Sequence, residues 1–294
     1  MKNVKCIDGE TYDGVEEEAF PSLEELRVKS LPNLERLLSD EGVEMVPRLS
    51  QLRSEGVLNF KVPRLPCVEI LYARGIEAGT SFIEGVGENM VCLKTLSIEI
   101  IKGSVVLPDE FRRLGALQEL YIAECYDLEY FPEHVLEGLT SLRTLSINYC
   151  KKLKSLSEGV RHLACLESLM IRDCPALGTL PSNMSQLTAL RNISIEGYST
   201  LPYGLQRVPS LRTLDISYCE CTSLPDWLGD MNTLEELSIW YCKELRSLSS
   251  SIQRLTNLSY LRIEGCPHLM KRCKRETGED WQYINHIPKL KLEE

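Results

Sequence analysis

No stretch of this 294-residue chain approaches the ~18 uninterrupted apolar residues that a membrane-spanning helix needs. The opening Met1-Lys2-Asn3-Val4-Lys5-Cys6 also lacks the apolar run of a secretory signal. Neither a membrane span nor a cleaved leader is expected, and the sequence reads as cytoplasmic, with the nucleus as a second compartment. Basic charge is in deficit: 33 Lys and Arg against 43 Asp and Glu leave a net charge of −10. A general binder of phosphate backbones needs a basic face, so nucleic acid is not the expected partner. Histidine is scarce, and His134, His162, His268 and His286 are scattered with no His-Glu-x-x-His and no Ser or Cys in a nucleophile context. An enzyme is therefore not expected. Cys266, His268, Cys273 and His286 fit no standard zinc spacing, so no metal is expected either. His162 and Cys165 lie three apart, but Cys165 adjoins Leu166 in a leucine frame, which predicts a packing role. The Asn-x-Ser sequons at Asn183, Asn192 and Asn257 read as chance matches in a cytosolic chain.

Cysteine, in contrast, is plentiful, with twelve residues. Six of them share one place in a recurring phrase, Leu-x-x-Leu-x-Ile-x-x-Cys. Leu117, Leu120, Ile122 and Cys125 set it out, followed by Leu142, Leu145, Ile147 and Cys150, and then by Leu166, Leu169, Ile171 and Cys174. The same place holds Cys219, Cys242 and Cys266. Periodicity accounts for these thiols better than a secreted disulfide framework does. A small, weakly polar thiol there packs as a buried hydrophobe and offers a soft hydrogen bond to nearby backbone.

A repeat of about 24 residues with this phrase is the signature of leucine-rich repeats, in which each unit is one coil of a solenoid. The fold class predicted is an α/β horseshoe with a parallel sheet on its concave face and a convex side of irregular, short helical or 3-10 segments. Units start at Leu23, Leu49, Val68, Leu93, Leu117, Leu142, Leu166, Leu190, Leu211, Leu234 and Leu258, which predicts eleven strands. The first, fourth and sixth residues of each phrase point inward, because a strand alternates its side chains. Spacing is looser early on, and Ser54 stands where the second unit needs its third apolar residue. The expected organisation is irregular coils over 1–90, regular coils over 91–270 and a cap over 271–294. Pro108, Pro132, Pro181, Pro202 and Pro225 on the return path suit an extended turn or the first turn of a short helix. Met1, Val4 and Ile7 match the phase of Cys174, Leu177 and Leu180, as though the chain opened in the middle of a coil of a longer protein.

On such a solenoid the outward strand positions make the binding surface. The expected contact residues are Tyr121, Tyr149, Arg172, Asp173, Tyr218, Trp240, Tyr241, Tyr260 and Arg262. Exposed Tyr, Trp and Arg are the usual material of binding hot spots, although aromatics on neighbouring strands can also stack simply to stabilise a sheet. The same columns hold Glu99, Glu124, Asp173, Glu196, Asp215, Glu236 and Glu264, an acidic set that either steers a basic partner or is a solvated face. Lys271, Arg272, Lys274 and Arg275 form the one basic run, read as a cap edge or an intramolecular docking surface.

Two segments carry a family resemblance. Cys266-Pro267-His268-Leu269, Lys271-Arg272-Cys273, Gly278-Glu279-Asp280-Trp281, Ile284 and His286-Ile287-Pro288 resemble the C-terminal end of plant intracellular nucleotide-binding leucine-rich-repeat immune receptors of the coiled-coil class. The opening, from Val4-Lys5 to Ala19-Phe20-Pro21-Ser22-Leu23, is similar to the middle of their repeats, so the resemblance runs the length of the chain. It implies a non-catalytic recognition domain for a pathogen effector or a guarded host protein, which also restrains a nucleotide-binding module. ATP or ADP would belong to that module, because this sequence has no Gly-x-x-x-x-Gly-Lys-Ser/Thr loop, and Glu88 and Asn89 follow Gly85 and Gly87. A substrate-recruiting subunit of a ubiquitin ligase is the alternative, as repeats of that kind also place Cys at the same position.

Overall fold

The computed structural model describes residues 4–7, 20–37, 46–57, 60–77 and 81–293, so that Met1 and Ala19 lie outside the described residues. The strands are β1 (Cys6–Ile7), β2 (Glu25–Lys29), β3 (Arg36–Leu37), β4 (Gln51–Glu55), β5 (Ile70–Glu77), β6 (Thr95–Lys102) and β7 (Glu119–Ala123). They continue as β8 (Thr144–Asn148), β9 (Ser168–Arg172), β10 (Asn192–Glu196), β11 (Thr213–Ser217), β12 (Glu236–Trp240), β13 (Tyr260–Glu264) and β14 (Lys289–Glu293). Among the described residues, β2 and β4 to β14 form one twelve-stranded sheet in sequence order, and each adjoining pair is parallel. The register is homologous throughout: Leu120 pairs with Leu145 and Ile122 with Ile147.

That register makes the core. Leu117, Leu120, Ile122, Leu142, Leu145 and Ile147 are all fully buried, as the phrase requires. Between them the outward Tyr121 stays partly exposed, whereas the smaller Ser146 is buried. The second unit is the weak point. Ser54 is buried in register with Val28 and Ala73, and its hydroxyl has no partner among the described residues.

All eleven expected strands are present in this sheet and β14 is its twelfth, inside the segment read as cap, while β1 and β3 pair with each other in a separate two-stranded sheet. Lys289-Leu290-Lys291-Leu292-Glu293 alternates as a strand and pairs residue by residue with β13. It follows two short helices instead of a leucine phrase, so a search by period passes over it. These are α3 (Pro267–Arg272) and α4 (Trp281–Ile284), which come after α1 (Ser81–Asn89) and α2 (Glu133–Gly138). Elsewhere the return path is 3-10 helix, at Asp109–Arg113, Glu158–His162, Met184–Gln186, Leu205–Arg207, Asp226–Asp230 and Ser250–Arg254. Pro108, Pro132 and Pro225 stand just before their helices in extended backbone, at φ of −57, −62 and −71°. Their fixed φ and missing N–H cost nothing there.

Coils approach closely on this side. A β-carbon on Gly138 would lie 2.0 Å from the Arg112 carbonyl oxygen, so only glycine fits. Gly85 and Gly87 likewise lie inside α1, against Val62 and the backbone of Glu110. Among the described residues no helix is long and apolar enough to cross a membrane.

Leu145→Ala should cost about 2–5 kcal/mol, the range for a fully enclosed leucine. The check is the urea midpoint of unfolding, and an unchanged midpoint would mean that the inward frame is misassigned.

Candidate functional site

Every one of the eleven phrase strands has a residue in the left-handed region, directly after the strand in nine of them and inside it in β5 and β6. These are Ser30, Gly56, Gly75, Ile100, Glu124, Tyr149, Asp173, Gly197, Tyr218, Tyr241 and Gly265, with φ between 48 and 78°. The step reverses the alternation, so the next residue returns to the interior. Its N–H still donates to the following coil, as from Tyr149 to the Arg172 carbonyl at 2.9 Å and from Tyr218 to the Trp240 carbonyl at 2.9 Å. Its side chain is left at the exit edge of the concave face. Tyr149, Asp173, Tyr218 and Tyr241 were expected within the strands; they stand one residue beyond them, because this turn consumes a residue that simple alternation does not count. Tyr149, Tyr218 and Tyr241 are 44, 55 and 38% exposed.

The coils of β11 to β13 gather the richest group. The Tyr218 and Tyr241 rings stack with centroids 5.2 Å apart and an interplanar angle of 18°. Tyr241 in turn lies over Gly265, where a β-carbon would come within 2.4 Å of the ring. The Tyr241 hydroxyl donates to Glu264 Oε1 at 3.1 Å. On the strands themselves, the Arg262 guanidinium sits 4.3 Å from the centre of the Trp240 ring and pairs with Glu264. Trp240 Nε1 and Arg262 Nε have no hydrogen-bond acceptor among the described residues. Tyr260 opens β13, two residues before Arg262. The cluster is thus aromatic and charged, and its two unpaired N–H groups are enclosed within it.

The other expected contacts stand apart from it. Tyr121 lies mid-strand in β7 and donates to Glu119 at 3.3 Å, while Arg172 ends β9 and meets Glu196 at 3.4 Å. Asp173 leans over Gly197, whose missing side chain leaves a gap in the row between Asp173 and Tyr218. Tyr149 stands two coils before that gap.

Other residues, apart from Glu99 of the acidic set, went unnoticed in the sequence. Arg53 lies 4.1 Å over the Tyr72 ring, Arg53 and Arg27 each bond Glu25 at 2.8 Å, and Arg74 meets Glu99 at 3.1 Å. They line the early coils of the same face, beside a hollow of about 220 Å³. The signal was available as Leu26-Arg27-Val28, Leu52-Arg53-Ser54 and Leu71-Tyr72-Ala73, each with its middle residue outward. The basic run near the end is divided. Arg272 turns to the fully buried Asp280 at 2.8 Å, and Asp280 also accepts from the Leu248 N–H at 2.8 Å. Lys271, Lys274 and Arg275 instead rim a hollow of about 710 Å³ floored by Cys266, Met270 and Leu292.

The family model for a leucine-rich repeat region matches residues 136–293, more than half of the chain. The chain belongs to the leucine-rich repeat family. Its curated relatives are plant disease resistance proteins. It is 42% identical over 52 residues to disease resistance protein RGA4 of Solanum bulbocastanum, covering 18% of this chain and 5% of that protein. It is 34% identical over 85 residues to disease resistance protein RPH8A of Arabidopsis thaliana, covering 28 and 9%. Matched stretches thus span under a tenth of those proteins' length. Among solved structures, the leucine-rich repeat domain of the type III effector XopL superposes with a TM-score of 0.58 at 23% identity, over 85% of this chain and 78% of that one. The Arabidopsis receptor kinase HAESA, solved with the peptide hormone IDA and the co-receptor SERK1, gives 0.50 at 21% identity, over 86 and 48%. At those identities the likeness shows the fold alone.

Within this leucine-rich repeat, the residue after each left-handed step fills one inward row. Val57, Ile76 and Ile101 occupy it early, and Cys125, Cys150, Cys174, Tyr198, Cys219, Cys242 and Cys266 follow, all of them buried. The exchange of aliphatic side chain for thiol along one row is what a buried hydrophobe would allow. Cys174 Sγ reaches the Arg172 carbonyl at 3.3 Å, and Cys266 Sγ reaches that of Glu264 at 3.3 Å. A hydrogen bond with Cys150, and then burial, push the Cys125 thiol up. Tyr198 sits in the shortest of the regular coils, from Leu190 to Leu211, and its hydroxyl has no partner among the described residues. Cys165 was expected to pack; it is exposed, because it precedes the inward leucine of its phrase and points the other way.

Asp215 lies outward in β11 between Ser194 and Ser238. Burial raises its pKa above the ordinary 3.8, with a hydrogen bond to Ser238 pulling it down. A carboxyl with a raised folded pKa favours folding below its unfolded pKa and loses that contribution as pH rises through the folded one. At neutral pH its charge therefore costs stability. Asp215→Asn should raise the melting temperature at pH 7, with the advantage vanishing below about pH 3.8; equal melting at pH 7 would contradict this.

Proposed function

We propose that this leucine-rich repeat is the partner-recognition domain of an intracellular plant immune receptor of the coiled-coil class. It binds a pathogen effector or a guarded host protein on its concave side, and its repeats also hold a nucleotide-binding module inactive. ATP or ADP is handled in that module and not by this chain, which works without catalysis and without nucleic acid or lipid as a partner.

The observation that carries this reading is the group formed by Tyr218, Tyr241, Trp240 and Arg262. Stacked tyrosines and an arginine resting on tryptophan lose little freedom on binding, because neighbours already hold them in place. The acidic residues of the same face, Glu196, Asp215 and Glu236, with Asp173 beyond the gap at Gly197, favour a partner surface with basic character and speed the encounter. The plant disease resistance relatives and the resemblance of the closing segment supply the biological setting. For restraint to be relieved, the partner must bind the released state more tightly than the resting one.

The test is made in the complete receptor carrying this chain. Replacing Tyr218, Trp240 and Tyr241 by Ala should weaken binding of the cognate partner by at least about tenfold, as loss of hot-spot side chains does, and should abolish the immune response to it. Unchanged affinity would reject the concave face as the recognition surface.

A further inference from the structure

Of the cysteines outside that buried row, Cys67, Cys92 and Cys165 are exposed and free. Two of them are neighbours in space. Cys67 lies two residues before Glu69, and Cys92 two residues before Lys94, whose N–H donates to the Glu69 carbonyl at 2.8 Å. On the other flank, the Leu65 N–H donates to the Asn89 carbonyl at 3.0 Å. Inter-coil hydrogen bonds thus bracket the pair on both sides. Each cysteine also occupies the same place in a matching turn, closed by Val68 N–H to the Leu65 carbonyl at 3.2 Å and by Leu93 N–H to the Met90 carbonyl at 3.2 Å. Equivalent positions on adjoining coils lie about 4.8 Å apart where the backbones are bonded. That falls inside the window of about 4.4–6.8 Å between α-carbons that a disulfide needs.

We propose that Cys67 and Cys92 form a dithiol site that reacts with low-molecular-weight disulfides to give an intramolecular bridge between two adjacent coils. The thiolate of one cysteine attacks oxidised glutathione, forming a mixed disulfide and expelling one reduced glutathione. The second thiolate attacks the cysteine sulfur of that mixed disulfide and expels the other. The pair loses two electrons and two protons, and oxidised glutathione becomes two reduced molecules. Cys165 cannot follow this course, because the equivalent residues of its neighbouring coils are Ser141 and Ala189. The buried row is closed to the reagent. The bridge would tie the coil that carries α1 to the one before it.

The test treats the folded chain with oxidised glutathione, alkylates the remaining thiols and maps peptides by mass spectrometry with and without a reductant. The expected result is a Cys67–Cys92 cross-linked peptide pair, a glutathione adduct at Cys165, and a higher thermal midpoint that reduction reverses. In the Cys67→Ser chain, Cys92 should stop at the glutathione adduct. Separate glutathione adducts on Cys67 and Cys92 in the unaltered chain, with no cross-linked pair, would overturn the proposal. So would two unreacted thiols, under conditions in which Cys165 reacts.

Discussion

The interaction on which everything else depends is the in-register hydrogen-bond ladder between one coil and the next. Because Leu120 bonds beside Leu145 and Ile122 beside Ile147, homologous residues are forced into rows. Each row is then a single physical problem solved many times. The inward rows must be apolar and close-packed, since an unpaired backbone or side-chain group there has no water to turn to. Outward rows carry no such demand. The division of labour between leucine and everything else follows from this geometry.

One row is under a different constraint. The left-handed step of each coil returns the chain to the core, and it costs a residue with a β-carbon roughly 1–2 kcal/mol relative to glycine. Glycine is used at Gly56, Gly75, Gly197 and Gly265, yet even the β-branched Ile100 occurs at φ 60°. Tyr149, Tyr218 and Tyr241 accept the same strain with their rings in solvent. Under the proposed function these large aromatics are held where glycine would be easier for what they meet outside the chain, and Gly265 removes the obstacle beneath Tyr241.

The strand frame was legible because leucine and isoleucine recur at fixed offsets, and every expected strand start leads into a strand. The segment Lys289–Glu293 was not, since its Leu290 and Leu292 alternate without the spacing of the phrase. The left-handed row left no compositional mark: serine, glycine, isoleucine, glutamate, tyrosine and aspartate all occupy it, so the placement of Tyr218 and Tyr241 at the exit edge could not be read from residue types. The union of Arg53 with Tyr72, and of Arg262 with Trp240, was hidden for a related reason. Such contacts depend on which outward residues share a rung, and that requires the register.

Recognition by this chain therefore rests on the claim that its exposed tyrosines serve a partner and are not needed by the fold. The most direct measurement is the unfolding free energy of the chain with Tyr149, Tyr218 and Tyr241 all replaced by Gly. Relief of backbone strain should offset the lost ring stacking, and stability should stay within about 1 kcal/mol of the original. A loss beyond about 3 kcal/mol would contradict the claim and make the tyrosines structural.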